Sequence, residues 1–243
     1  VNGPSTHHVD PKAPMHPLVL VPGDPARAMA IATAQLEEPR MFNHRRGLWG
    51  YSGMTAEGTG FVIQSTGMGG PSAAIVCEEL VALGAEVLLR VGTCGAIDPA
   101  VKLGDVIVAD AAICDDSASR GLGAGDRATP DRALTDALYA HAGEHLHERA
   151  LHRGPVASVD LFYDPDGMKR YARLAAEGAL AIEMEAATVL TLTQRPGLRG
   201  ACILGVTDEL HGDKRARLEH EDIVSLGDLI GAIAVRALAE HAV

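Results

Sequence analysis

Apolar runs in this chain repeatedly stop at a glycine-bearing turn and give way to helical spacing. This strand–turn–helix repetition is what most limits the fold. Leu18 to Val21 ends at Pro22-Gly23-Asp24-Pro25, and Ala26 to Gln35 reads as a helix. Residues 61–66 (FVIQST) end at Gly67-Met68-Gly69-Gly70-Pro71-Ser72, and Ser72 to Leu83 has apolar residues at helical intervals. Val87 to Val91 ends at Gly92-Thr93-Cys94-Gly95. The runs VLLRV and ACILGV are continuous rather than alternating, which suits strands buried on both faces.

The pattern continues to the last residues. Val106 to Ala109, Val156 to Val159 and Ala201 to Val206 read as strands, and Leu134 to Glu148, Ile182 to Thr193 and Glu221 to His241 as helices. Residues 115–130 (DDSASRGLGAGDRATP) carry the Gly, Ser and Asp of a mobile loop. With no repeat and no linker, residues 1–243 are expected to form a single α/β domain, a mixed central β-sheet covered by helices. A chain of 243 residues can bury a sizeable core. Only 3% of residues are aromatic, so Ala, Val, Leu and Ile must fill that core.

Charge and cysteine usage exclude several function classes. Lys and Arg number 21 against 32 Asp and Glu, a net charge of −11, which argues against nucleic-acid or anionic-membrane partners. No apolar run reaches the roughly 20 residues of a membrane span. Cys77, Cys94, Cys114 and Cys202 are far apart and form no CxxC, as expected of reduced thiols in a cytoplasmic protein. His141, His145, His147, His152, His220 and His241 stand in polar company and read as solvated. No HxxxH pair reads as flanked by further ligands, so no metal is expected.

The candidate chemistry lies at the turns. Glycine lets backbone approach a ligand closely, and helix N-termini offer N–H groups to anions. Neither GxxxxGK[ST] nor GxGxxG is present, which leaves nucleotide hydrolysis and dinucleotide binding unsupported. Arg27 falls on the first turn of a helix, four residues past Gly23. Arg90 stands inside an apolar strand, where it requires either a bound anion or a structural carboxylate. In AIEMEAATV, Glu183 and Glu185 open an apolar helix and either cap its N–H groups or accept from sugar hydroxyls. Asp208, at the end of ACILGVT, reads as a general acid or as a cap.

Taken together, VPGDPARA, NHRRGLWGY, TGMGGPSAAI, RVGTCGAI, SVDLFYDPDG, IEMEAATV and GVTDE resemble, in order, the nucleoside phosphorylase superfamily. Within it they are most similar to the bacterial hexameric type of purine nucleoside phosphorylase. The resemblance implies a sheet partly closed into a barrel. It also implies reversible phosphorolysis of purine (2′-deoxy)ribonucleosides to free base and (2-deoxy)ribose 1-phosphate, with no cofactor and inorganic phosphate as co-substrate. By similarity Gly23, Arg27, Arg90 and Thr93 hold phosphate, and Arg46 reaches the phosphate of a neighbouring subunit. His7, with His8 next in register, is donated across a dimer to the ribose 5′-hydroxyl, and Met184 and Glu185 clasp the ribose. Cys94, Gly95, Phe162, Ile182 and Glu183 line the base site, and a protonated Asp208 faces purine N7. A dimer is then the minimal active unit, assembled into a hexamer. Family members often pair this Asp with an Arg at the position that is Glu221 here, which leaves Lys214, Arg215 and Arg217 as substitutes. The alternatives are a uridine phosphorylase, a hydrolytic nucleosidase of the methylthioadenosine type and a non-catalytic nucleoside-binding protein. The FYDPDGMKRYARL segment lacks the Gln expected of the first, and the arginine set speaks against the second.

Overall fold

The computed structural model describes residues 6–146, 149–211 and 215–241. In chain order the elements are β1 (Leu18–Pro22), α1 (Pro25–Gln35), β2 (Glu37–Asn43), β3 (Gly50–Met54), β4 (Gly60–Gln64), α2 (Gly70–Leu83), β5 (Val87–Ala96) and β6 (Val106–Asp115). Then come α3 (Ser117–Gly121), β7 (Arg127–Ala128), α4 (Arg132–His145), β8 (Leu151–Val159), α5 (Gly167–Ala176), β9 (Ala181–Glu183), α6 (Ala186–Thr193), β10 (Arg199–Glu209), β11 (Ala216–Arg217) and α7 (His220–His241).

One mixed sheet joins all eleven strands. Five of them, β10, β6, β8, β9 and β5, close on themselves because β5 pairs with β10 as well as with β9. The sheet continues from this barrel through β1, parallel to β5, and β4, parallel to β1, to β3, antiparallel to β4, and β2, antiparallel to β3. The continuous apolar runs are buried on both faces, as expected. On β1, Leu18 and Leu20 pack with α1, α4 and α7, while Val19 and Val21 pack on the opposite side with α2 and α6. All eight residues of α6 are buried. The scarcity of aromatics is met by small residues: alanines and cysteines dominate the cluster of Cys94, Ala112, Cys114, Ala186, Ala187 and Cys202.

Helix starts follow local chemistry. Asp24 accepts from Ala26 N at 2.9 Å with Pro25 in the first turn of α1, and Asp131 accepts from Leu134 N at 2.9 Å at the start of α4. Gly84, with φ of 113°, ends α2 in the left-handed region that suits glycine.

Four expectations are corrected. The strand at Val87 does not stop at Gly92: β5 runs on to Ala96, and residues 92–96 pair with β10 because the barrel closes there. Residues 115–130 are not a loop throughout: Asp116 caps α3, accepting from Ser119 and Thr188, and Ala128 of β7 is buried against β6. Gly and Ser composition hid a segment whose polar groups find partners outside it, among them Thr188, Asp160 and Arg173. The helix expected from Ile182 starts only at Ala186, because Ile182 is paired on both sides, with Gly95 and Ala157. The histidines are not uniformly solvated: His141 is buried, and His152 Nε2 bonds Asp105 at 2.8 Å. His147 and Lys214 lie outside the described residues.

Candidate active site

The carboxyl ends of β1, β5 and β10 open into a cavity of about 840 Å³, as is usual for ligand sites in α/β sheets. Every site residue expected from the sequence lines it except His7 and Arg46.

At the end of β1 the backbones of two turns meet, Gly67 N donating to Gly23 O at 3.0 Å. A Cβ at Gly23 would sit 3.2 Å from Gly67 O, so the turn is tight enough to favour glycine. Arg27 enters from the first turn of α1. A side chain at Gly227 on α7 would come within 3.0 Å of its Nε, so that glycine leaves room for the guanidinium. Among the described residues Arg27 has no ion-pair partner within 4.0 Å. Burial, and Arg90 nearby, lower its pKa, while Asp24, Asp228 and Glu185 act the other way. An anion bound there would relieve both unfavourable effects.

Arg90 is the opposite case. Its Nε donates to Glu183 at 2.7 Å and its Nη2 lies 2.5 Å from Glu185, with all three side chains almost wholly buried. The structural-carboxylate reading of this strand arginine therefore holds, and Arg90 still lines the cavity. Burial opposes its charge, but the two carboxylates outweigh it and raise its pKa.

Glu183 and Glu185 divide the two roles read for them. Glu183 caps α6, accepting from the N–H groups of Glu185 and Ala186 at 2.8 Å each, and also from Ser158 and Arg90. With its side chain fully buried, it fixes the geometry of the site. Glu185 accepts from Gly69 N and pairs with Arg90. Burial raises its pKa, and Arg90 counteracts this.

Asp208 stands opposite Gly95 on β5 just past a bulge in β10, where Thr207 is the extra residue. Bulges re-aim side chains at sheet ends. Thr207 Oγ1 donates to Asp208 Oδ2 at 2.8 Å, and Arg217 Nη1 lies 3.6 Å from Oδ1 across the β10–β11 ladder. Arg217 is thus the described basic residue beside Asp208, whereas Glu221 is exposed in the first turn of α7. Arg215, Thr207, Tyr171 and His220 also line the cavity. No sequence signal marked these last three, because they depend on the bulge, α5 and the β11–α7 junction.

A family model of the phosphorylase superfamily matches residues 17–240. The chain belongs to that superfamily. Among curated relatives it is 38% identical over 196 residues to a DeoD-type purine nucleoside phosphorylase of Oceanobacillus iheyensis, covering 79% of this chain and 82% of the relative. It is 39% identical to the enzyme of that name from Bacillus cereus and 40% to that from Exiguobacterium sibiricum, each over 197 residues, 79% of this chain and 81% of the relative. The cavity gathers residues of VPGDPARA, TGMGGPSAAI, RVGTCGAI, SVDLFYDPDG, IEMEAATV and GVTDE, but none of NHRRGLWGY.

His7 and Arg46 are exposed and adjoin each other through Arg45, whose Nη1 donates to His7 O at 3.1 Å. The segment is tied down by Glu79, which accepts from the N–H groups of His7, His8 and Val9 and from the His8 ring. Arg46 has φ of 58°, a left-handed conformation that is uncommon for a non-glycine residue.

Potential metal ligands cluster elsewhere. His141 and His145 do form an HxxxH pair flanked by Glu144, and the fold adds Glu240 and His241, which corrects the reading of that pair. Arg236 donates to His145 Nε2 at 2.7 Å, so a cation would enter beside a guanidinium. None of these residues lines the cavity. Among the described residues no helix is long and apolar enough to cross a membrane.

Proposed function

We infer that the chain catalyses reversible phosphorolysis of purine (2′-deoxy)ribonucleosides, yielding the free purine and (2-deoxy)ribose 1-phosphate. The carrying observation is that Arg27, a half-buried guanidinium with no ion-pair partner among the described residues, shares one cavity with the carboxylates Glu185 and Asp208. The relatives' name, purine nucleoside phosphorylase, agrees with it.

The chemistry follows from charge. A phosphate oxygen bonds to C1′ while the C1′–N9 bond breaks and its electron pair passes to the purine. Arg27, Arg90 and the backbone N–H groups at Gly23 and Thr93 orient the phosphate by charge-assisted hydrogen bonds. Glu185 accepts from the ribose 2′- and 3′-hydroxyls, with Met184 beside it. Phe162, Ile182, Cys94 and Gly95 hold the base, with Glu183 bracing this wall. Asp208 gives its proton to N7 as negative charge develops on the ring, and Arg217 stabilises the carboxylate left behind. In the reverse direction the proton returns to Asp208.

His7 and Arg46, exposed and absent from their own cavity, complete the site of a second protomer in this proposal. The minimal active unit is then a dimer, within a hexamer in the cytoplasm. The reaction uses no cofactor beyond phosphate as co-substrate.

The test is base release from inosine, adenosine and uridine, each with and without phosphate. Phosphate-dependent release from the two purine nucleosides alone is expected. Release from uridine would make the chain a pyrimidine enzyme, and release without phosphate would make it a hydrolase.

A further inference from the structure

The arc between β8 and α5 carries Leu161, Phe162 and Tyr163, all exposed and all on the cavity lining. An exposed apolar arc has little packing of its own to fix its position. Its two ends are nevertheless anchored to the same neighbour, the stretch that leaves β6. At the near end, Asp160 Oδ2 accepts from Ser117 N at 3.0 Å and from Ser117 Oγ at 2.9 Å. At the far end, Asp164 accepts from Arg170 Nε at 2.6 Å, and Arg170 Nη1 continues to Asp115 Oδ2 at 2.9 Å. Arg173 holds the other oxygen of Asp115 at 2.7 Å.

We propose that Arg170, through the Asp164–Arg170–Asp115 bridge, is a positioning residue that fixes the Leu161–Tyr163 arc against the purine. This rests on the proposed role of Phe162 in holding the base. An isolated surface ion pair contributes little. Here the Asp164 side chain is only 4% exposed, and one guanidinium joins two carboxylates on different elements. The planar fork of Arg makes this geometry, while a Lys can serve one carboxylate at a time. The bridge also gives residues 115–121 a role: α3 and Asp115 form the platform on which the arc stands.

The arc touches the base side of the cavity, whereas the glycine turns and Arg27 belong to the phosphate side. Loss of the bridge therefore weakens nucleoside binding selectively. The experiment is steady-state kinetics with inosine and phosphate varied separately for Arg170→Ala, Arg170→Lys, Asp115→Asn and Phe162→Ala. Arg170→Ala is expected to raise KM for inosine about five- to tenfold with KM for phosphate within twofold of native, since small misplacements of binding groups are costly. Arg170→Lys should fall between the two, and Asp115→Asn should reproduce the direction even if Arg170→Ala fails to fold. An unchanged inosine KM in both Arg170→Ala and Asp115→Asn, beside a raised one in Phe162→Ala, overturns the positioning role alone. Equal rises in both KM values overturn it too, since they indicate general loosening. An unchanged inosine KM in Phe162→Ala overturns the base-holding role of Phe162 and the positioning role with it.

Discussion

Asp208 faces Gly95 across two parallel strands, one residue beyond the bulge at Thr207. A Cβ at Gly95 would collide with the Leu210 side chain and lie 3.7 Å from Asp208 Cβ, so the glycine keeps the approach to this acid open. Asp208→Asn retains the shape and removes the acid. It is expected to lower kcat on inosine about 10²–10⁴-fold, the range of a lost general acid, with KM for phosphate unchanged. Stopped-assay kinetics on inosine check this; full activity in the variant would exclude Asp208 as the acid.

Arg27 and Arg90 should separate binding from stability. Arg27→Ala removes a guanidinium with no ion-pair partner among the described residues, so KM for phosphate rises at least about tenfold while the thermal midpoint changes little. Arg90→Ala leaves Glu183 and Glu185 buried without their cation. Breaking such a pair costs about 3–5 kcal/mol, a fall in Tm of roughly 10 °C for a chain of this size. Calorimetry beside phosphate titration reads both, and an identical Tm for the two variants would contradict the distinction.

The N-terminal anchor carries a pH signature. Burial opposes ionisation of Glu79, but hydrogen bonds from His8, Val9 and His7 outweigh it and hold its pKa at about 2, against an ordinary 4.5. A carboxylate with a depressed folded-state pKa stabilises above its unfolded pKa, and that contribution fades as pH falls from 4.5 towards 2. Glu79→Gln should therefore be less stable than native at pH 7, with the gap narrowing below pH 4.5. Urea midpoints across that range check it; a gap constant with pH would refute the anchor's ionic character.

Arg46 tests the shared site. Because its φ is positive, Arg46→Gly relieves backbone strain and should keep or slightly raise the Tm. If Arg46 reaches a neighbour's phosphate, the same variant raises KM for phosphate. At low phosphate, mixed oligomers of Arg46→Gly and Asp208→Asn chains should then show more activity than the sum of the two variants assayed separately. No recovery on mixing would place each site within one protomer.

How far the fold was legible depended on whether an element is specified locally. The strands at Leu18, Val87 and Ala201 were plain because both of their faces are buried. Strands β2 and β3 are not legible because Glu37, Glu38 and Arg40 on β2 are polar and exposed, and the glycines at 50 and 53 break the alternation on β3. The β9 residues Ala181 to Glu183 looked helical because only tertiary pairing holds them extended. At the site, motif order placed Gly23, Glu185 and Asp208 in one cavity. The pairing of Arg90 with both glutamates and the position of Arg217 depend on contacts across distant strands, which spacing does not encode.

Phosphate, not water, takes the sugar in the proposed reaction. Incubation with inosine and phosphate, followed by phosphorus NMR of the products, tests it most directly. Ribose 1-phosphate and hypoxanthine are expected in equal amounts, with re-formation of inosine when both are supplied. Hypoxanthine with free ribose, at a rate indifferent to phosphate, would contradict it.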